Sequence, residues 1–327
     1  GTIGTVFFIE EDFWPHNTRL PIMELRRICI GISWVMAMLA LAILFTRGLN
    51  FGIDFKGGSL FEVRQSSGTV DVAKVRDTLS QLGLGEVQIQ SLDQPGEILI
   101  RIETQKPTEG QNAEQAQQAV EGRLREALGS GFEFRRTEVV GPAVSSELKR
   151  DGVIAVTFAV IGILVYVWFR FEWQFGVAAI LALVHDIFIT LGVFSLLRLD
   201  FGLSEVAALL TLAGYSINDT VVVFDRIREN LRRYKKMPLV ELMNLSINET
   251  LSRTVLTATT TFLAVLALYL FGTEVIKGFS FAMLFGIIVG TWSSIFVASP
   301  FLLWLGVKRD WSGEGNAAKG GAAKAKA

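Results

Sequence analysis

The sequence predicts a polytopic α-helical membrane protein with six transmembrane helices and one α+β ferredoxin-like domain. Three observations carry that prediction. Half of the 327 residues are hydrophobic and the mean hydropathy is positive, a larger apolar share than a soluble domain of this length needs. The surplus falls in blocks long enough to cross about 30 Å of hydrocarbon, which takes roughly twenty helical residues. Between the first two blocks lies a long polar stretch, residues 48–151.

The apolar blocks are residues 28–45, 152–169, 176–197, 203–224, 254–271 and 279–306. The first follows Arg26 and Arg27 as a signal peptide would, but Thr46, Arg47 and Gly48 follow it instead of a small-residue cleavage pattern, so it reads as a retained helix. Lys and Arg in short loops set orientation. Arg19, Arg26 and Arg27 precede the first span, and Arg226, Arg228, Arg232, Arg233, Lys235 and Lys236 follow the fourth. Lys308 and Arg309 follow the last. With six spans these segments share one side, the cytoplasm, whereas the connections at 198–204 and 272–277 are poor in basic residues. The expected organisation is a cytoplasmic N-terminal segment (1–27), a first helix (28–47), a periplasmic domain (48–151), a five-helix bundle (152–306) and a cytoplasmic tail (307–327).

Within the polar domain the pattern reads strand 60–64, helix 70–82, strand 87–91, strand 98–102, helix 113–128 and strand 132–140. Val72, Val75, Leu79 and Leu82, and again Ala116, Val120, Leu124 and Leu128, recur at helical spacing. Pro95-Gly96 marks a turn, and residues 106–111 read as a mobile loop. The order β-α-β-β-α-β is the split ferredoxin-like motif.

Charge and cysteine content exclude several function classes. A formal net charge of −1 gives no basic field for nucleic acid. Cys29 is the only cysteine, so no disulfide or thiolate metal cluster forms within one chain. Two histidines and no metal-spaced cluster leave no soluble-enzyme constellation, cofactor or metal site to expect. The glycine-containing stretch Phe51-Gly52-Ile53-Asp54-Phe55-Lys56-Gly57-Gly58-Ser59 lacks the strand–loop–helix setting and the terminal Lys-Ser/Thr of a phosphate loop. It reads as a tight entry into the sheet.

Ionisable groups inside spans are costly and mark a pathway or a pairing. The third span carries His185 and Asp186, the fourth Asn218 and Asp219, and the fifth Arg253 at its start, beside Thr254, Thr257, Thr259, Thr260 and Thr261. Asp219 lies ~7.5 Å from the boundary near Phe224, a depth that an inward-pointing Arg253 side chain could reach. Desolvation and a nearby cation act on such a carboxylate in opposite directions. On the sequence alone two readings stand: a static Asp219–Arg253 ion pair, or a proton carrier whose balance a helix movement alters. His185 and Asp186 form a secondary polar site, equally readable as a satisfied knot between helices. Asp225 reads as an interfacial salt-bridge partner.

Six stretches carry a resemblance. They are residues 50–58 (Asn-Phe-Gly-Ile-Asp-Phe-Lys-Gly-Gly), Val140-Gly141-Pro142-Ala143-Val144, Phe169-Arg170-Phe171-Glu172-Trp173, His185-Asp186, and the run from Gly214 to Asn230 centred on Asn218-Asp219, with Arg253-Thr254 completing the set. From about Arg26 to Arg309 the chain resembles the SecF family of protein-export membrane subunits, a branch of the resistance-nodulation-division transporter superfamily. The resemblance implies pairing with SecD, whose six spans are pseudo-symmetric to these. It implies use of the proton motive force to help preproteins leave the SecYEG translocon on the periplasmic side of the bacterial inner membrane. It assigns the proton pathway to Asp219, with Arg253 as functional neighbour and Asn218 as the partner in its motif. The expected role is that of a transport accessory subunit in the lipid bilayer, not an enzyme. Two other readings remain: a subunit of a small-solute/proton antiporter of the same superfamily, and a non-conducting scaffold of the translocon.

Overall fold

The computed structural model describes residues 20–307 apart from 67, 86, 93 and 106–111. The expected loop at 106–111, Arg19, Lys308, Arg309 and the two terminal segments lie outside the described residues. After a 3-10 turn at Ile22–Glu24 the first span is α1 (Arg26–Arg47). The chain then forms β1 (Asn50–Phe51), a single helical turn α2 (Ile53–Lys56), β2 (Gly58–Gln65), α3 (Val72–Ser80), β3 (Val87–Ser91), β4 (Glu97–Ile102), α4 (Ala113–Leu128) and β5 (Phe132–Val140). It returns through α5 (Pro142–Arg170), α6 (Trp173–Leu197), β6 (Asp200–Phe201), α7 (Leu203–Arg233), α8 (Leu239–Phe271) and α9 (Glu274–Ser293). A π-turn (Ser294–Ala298) joins α9 to α10 (Ser299–Trp304).

The strands β3-β4-β2-β5 form one sheet in that spatial order, every neighbouring pair antiparallel. Alternation along β4 buries Ile98, Ile100 and Ile102 against Val75 and Leu79 of α3 and Val120 and Leu124 of α4, the faces that their spacing in the sequence anticipates. The Asp71 carboxylate accepts the amides of Ala73 and Lys74 at the start of α3. Asn112 and Gln115 exchange the two bonds of a capping box at α4.

The glycine-rich stretch enters the sheet as expected and also ties it to the bundle. Gly57 and Gly58 have φ of +75° and +125°, and a Cβ on Gly58 would collide with the carbonyl of Ile102. No L-side chain is easily placed there. Ahead of them, β1 pairs in parallel with β6, and the Asp54 carboxylate accepts the Leu203 amide at 2.9 Å. A side chain from α2 thus caps the N-terminus of α7, where free N–H groups favour an anion.

Six helices or helix combinations are long and apolar enough to cross a membrane. Two outlast their apolar stretches. The basic segment that reads as a loop at 225–236 is helical through Arg233, and α8 begins at Leu239, ahead of the span expected from 254. Hydropathy locates only the segment inside hydrocarbon. Polar bonds between the helices carry both beyond it: Arg226 joins Glu249 and Glu229 at 2.7 Å each, and Asn230 donates to Ser246 and Glu249. Arg170 clasps Asp225 with two bonds of 2.7–2.8 Å. The sixth span is broken by the π-turn instead of being one regular helix.

Packing is uneven. α6, α7 and α9 form the buried centre, with Gly192 of α6 set so close to Ala40 of α1 that a Cβ would collide. α5 and α8 expose Val153, Phe158, Trp168, Leu256, Leu263 and Phe271. Apolar faces of that extent belong in lipid or against another apolar surface.

Candidate functional site

α7 brings Asp219 into the bundle centre, where its residue exposure is 7 %. Thr254 of α8 donates to Oδ1 and Ser294, the first residue of the π-turn, donates to Oδ2, both at 2.8 Å. Three elements therefore meet on one carboxylate, and both oxygens are held by hydroxyls instead of a fixed cation.

Among the described residues no ion pair joins Asp219 to Arg253. The reason is helical geometry. Thr254 faces the carboxylate, and its chain neighbour, about 100° around the helix, leaves Arg253 exposed on the outer face. Any influence of Arg253 on Asp219 is therefore one of charge across space and not of contact. Asn218 is likewise turned outward. With Thr211, Gly214 and Thr257 it belongs to a polar or small exposed surface at membrane depth. The Tyr215 hydroxyl borders that surface among Thr257, Thr261 and Thr291.

The second polar site is deeper. Asp186 of α6 has no exposed surface. Its Oδ1 lies 3.0 Å from His185 Nδ1, while Oδ2 accepts from Ser216 at 2.6 Å and Ser293 at 2.7 Å. Gly290 of α9 makes room: a Cβ there would come within 3.3 Å of the Ser216 Cβ.

The structure brings Asp186 together with His185, as their adjacency in the sequence suggests, and brings Asp219 together with Thr254, where the sequence reading expects Arg253. It places Arg253 and Asn218 on the outside. The sequence reading missed Ser216, Ser293 and Ser294. A Ser-Ser pair in the middle of an apolar span was the available signal, since hydroxyls there need an acceptor.

Comparison with known proteins gives consistent matches. Residues 120–308 match the family model described as protein export membrane protein SecD/SecF, C-terminal, and residues 42–64 match the SecD/SecF GG motif. The chain is 45 % identical over 304 residues to the protein translocase subunit SecF of Cereibacter sphaeroides, covering 90 % of this chain and 92 % of that one. It is 42 % identical to the protein translocase subunit SecDF of Brucella abortus, covering 90 % of this chain and 38 % of the relative. The crystal structure of SecDF, a translocon-associated membrane protein from Thermus thermophilus, superposes with a TM-score of 0.79 at 39 % identity. That match covers 89 % of this chain and 39 % of the SecDF chain.

Proposed function

Because the chain belongs to the SecD/SecF family of protein export membrane proteins, we propose that it is the SecF-type half of a proton-driven complex that promotes preprotein release from the SecYEG channel. The observation that carries the proton-driven part is Asp219: a buried carboxylate gripped by hydroxyls from two other elements, with no cation fixed on it among the described residues. An ionisable group so placed in a membrane span marks a proton or ion path. Moving one charge through about 100 mV is worth about 2.3 kcal/mol, enough to bias a two-state helix movement close to fiftyfold.

The partner is a second, SecD-type bundle. Asn218 is exposed within the fourth span and Arg253 at the start of the fifth, where a polar surface needs protein or water against it. The fused SecDF relatives, of which this chain spans 38–39 %, support a second half seated there. The α+β domain is ferredoxin-like and periplasmic in this reading. Its element order and the strand order β3-β4-β2-β5 support the first part, and the six Lys and Arg residues between Arg226 and Lys236 support a cytoplasmic α7–α8 junction and termini.

The test is Asp219→Asn, which keeps shape but cannot exchange a proton. Preprotein release from membrane vesicles should lose its dependence on the proton gradient while the complex still assembles. Full gradient-dependent release in this variant would leave the non-conducting scaffold reading standing.

A further inference from the structure

We propose that His185 and Asp186 form a second proton-binding site in the bundle, coupled to Asp219 through the consecutive residues Ser293 and Ser294. The inference rests on the proton-driven reading and adds a site to it. Asp186 is fully buried, and among the described residues its one charged or titratable partner is His185. With Ser216 and Ser293 donating to Oδ2, Oδ1 is left to accept from His185 Nδ1. With Asp186 ionised, that bond assigns the proton of a neutral ring to Nδ1 and leaves the lone pair on Nε2.

Nε2 is buried and has no hydrogen-bond partner, and the His185 side chain is only 10 % exposed. The ring lines an apolar groove of about 310 Å³ between α1, α6 and α10, beside Ser33 and Trp34. The lone pair of Nε2 is therefore not tied up by a donor among the described residues and is open to a proton. Uptake at Nε2 turns the imidazole into an imidazolium while the Nδ1–H bond to Asp186 stays. The pair goes from a net charge of −1 to zero, and release reverses it. Neutralising a buried unpaired charge is strongly favourable in a bilayer.

The neighbouring elements bring few other titratable groups. From α7 come Ser216, Tyr215 and, three residues past Ser216, Asp219; from α9 and the π-turn come Gly290, Ser293 and Ser294. Cys29 sits near the start of α1, and the charged residues of α1, α5 and α9 lie toward their helix ends.

The coupling is built into two consecutive residues. Ser293 has a choice of acceptor, Asp186 Oδ2 at 2.7 Å or the Gly290 carbonyl at 3.1 Å. Ser294 has the same choice between Asp219 Oδ2 at 2.8 Å and the Thr291 carbonyl at 3.0 Å. Each hydroxyl has one proton to give. A change of charge on either carboxylate alters which acceptor its serine prefers, at the place where the helix opens into a π-turn. Such turns are a common site of functional adjustment in helices.

The experiment is nitrogen-15 nuclear magnetic resonance of histidine-labelled complex in bilayers, with the His185 signal identified as the one lost in His185→Gln. The expected ring is neutral with Nδ1 protonated at high pH and imidazolium at low pH. Its midpoint should move by about 0.5 pH or more in Asp219→Asn, and that displacement should shrink in Asp219→Asn with Ser293→Ala. A ring in one state throughout, or a midpoint indifferent to Asp219→Asn, overturns the proposal. Gradient-dependent release by Asp219→Asn would instead overturn the role of Asp219 in export, and the His185 titration would be read on its own.

Discussion

Arg101, in the middle of the α+β sheet, grips Asp200, in the short connection between α6 and α7, through two parallel bonds, the longer of 2.7 Å. Asn50 Nδ2 donates to the same carboxylate at 2.7 Å and to the Arg198 carbonyl at 3.3 Å. The Arg101 side chain is 15 % exposed and that of Asp200 34 %. The paired geometry fixes direction as well as distance, so this contact orients the domain on the bundle.

Arg101→Ala should therefore loosen the domain without unfolding it. The expected coupling with Asp200→Asn in a double-mutant cycle is about 1 kcal/mol. Spin labels on the sheet and on α7 should give a broader distance distribution in Arg101→Ala. An unchanged distribution would mean that β1, β6 and α2 alone hold the orientation.

Gly58→Ala tests the second tie. The backbone there has φ of +125°, and the new methyl would meet the Ile102 carbonyl. Both strain and lost β2–β4 pairing follow, for a cost of roughly 2 kcal/mol or more. Gly162→Ala in α5, with open space around it, should be neutral or slightly stabilising. Thermal melting of the two purified variants should separate them by several degrees.

Much of this was legible in the sequence, and the parts that were not share a cause. Helical spacing identified the buried faces of α3 and α4, because one apolar stripe per helix suffices when the partner is a sheet. Hydropathy found six spans but not the ends of α7 and α8, because cross-helix bonds such as Arg226–Glu249 extend them into water. Asp219 stood out as a charge in an apolar run. Its partners did not: Ser294 is distant in the chain, and the outward turn of Arg253 depends on which face of α8 packs inward. Residue identity marks cost, whereas pairing depends on register.

The orientation has a direct check. Cys29 is buried, so the native chain should be nearly silent to an impermeant thiol reagent. A cysteine at Gln90, exposed on β3, should be labelled from the periplasmic side of intact cells. One at Lys236, exposed in the α7–α8 connection, should react only after the membrane is opened. Labelling of both positions from outside would contradict the six-span arrangement.

The last prediction separates contact from charge around Asp219. Thr254 touches the carboxylate, whereas Arg253 is exposed on the outer face and can act on it only through its charge, so the two residues should respond to opposite kinds of substitution. Thr254→Ser keeps the hydroxyl and should preserve gradient-dependent release. Thr254→Val keeps the shape but removes the donor, and a hydrogen bond to a charged group is worth about 1.5–3 kcal/mol. A tenfold or greater loss of gradient-dependent release is expected, since about 1.4 kcal/mol is a factor of ten. Arg253→Lys keeps a positive charge on a flexible stem and should retain most activity, whereas Arg253→Gln should not. The exchange Asp219→Arg with Arg253→Asp should fail even when the complex assembles, because it places a guanidinium between hydroxyls positioned to donate and a carboxylate on the outer face. Restoration of release by that exchange would show that the two residues work as a simple ion pair, and the carrier role of Asp219 would fall with it.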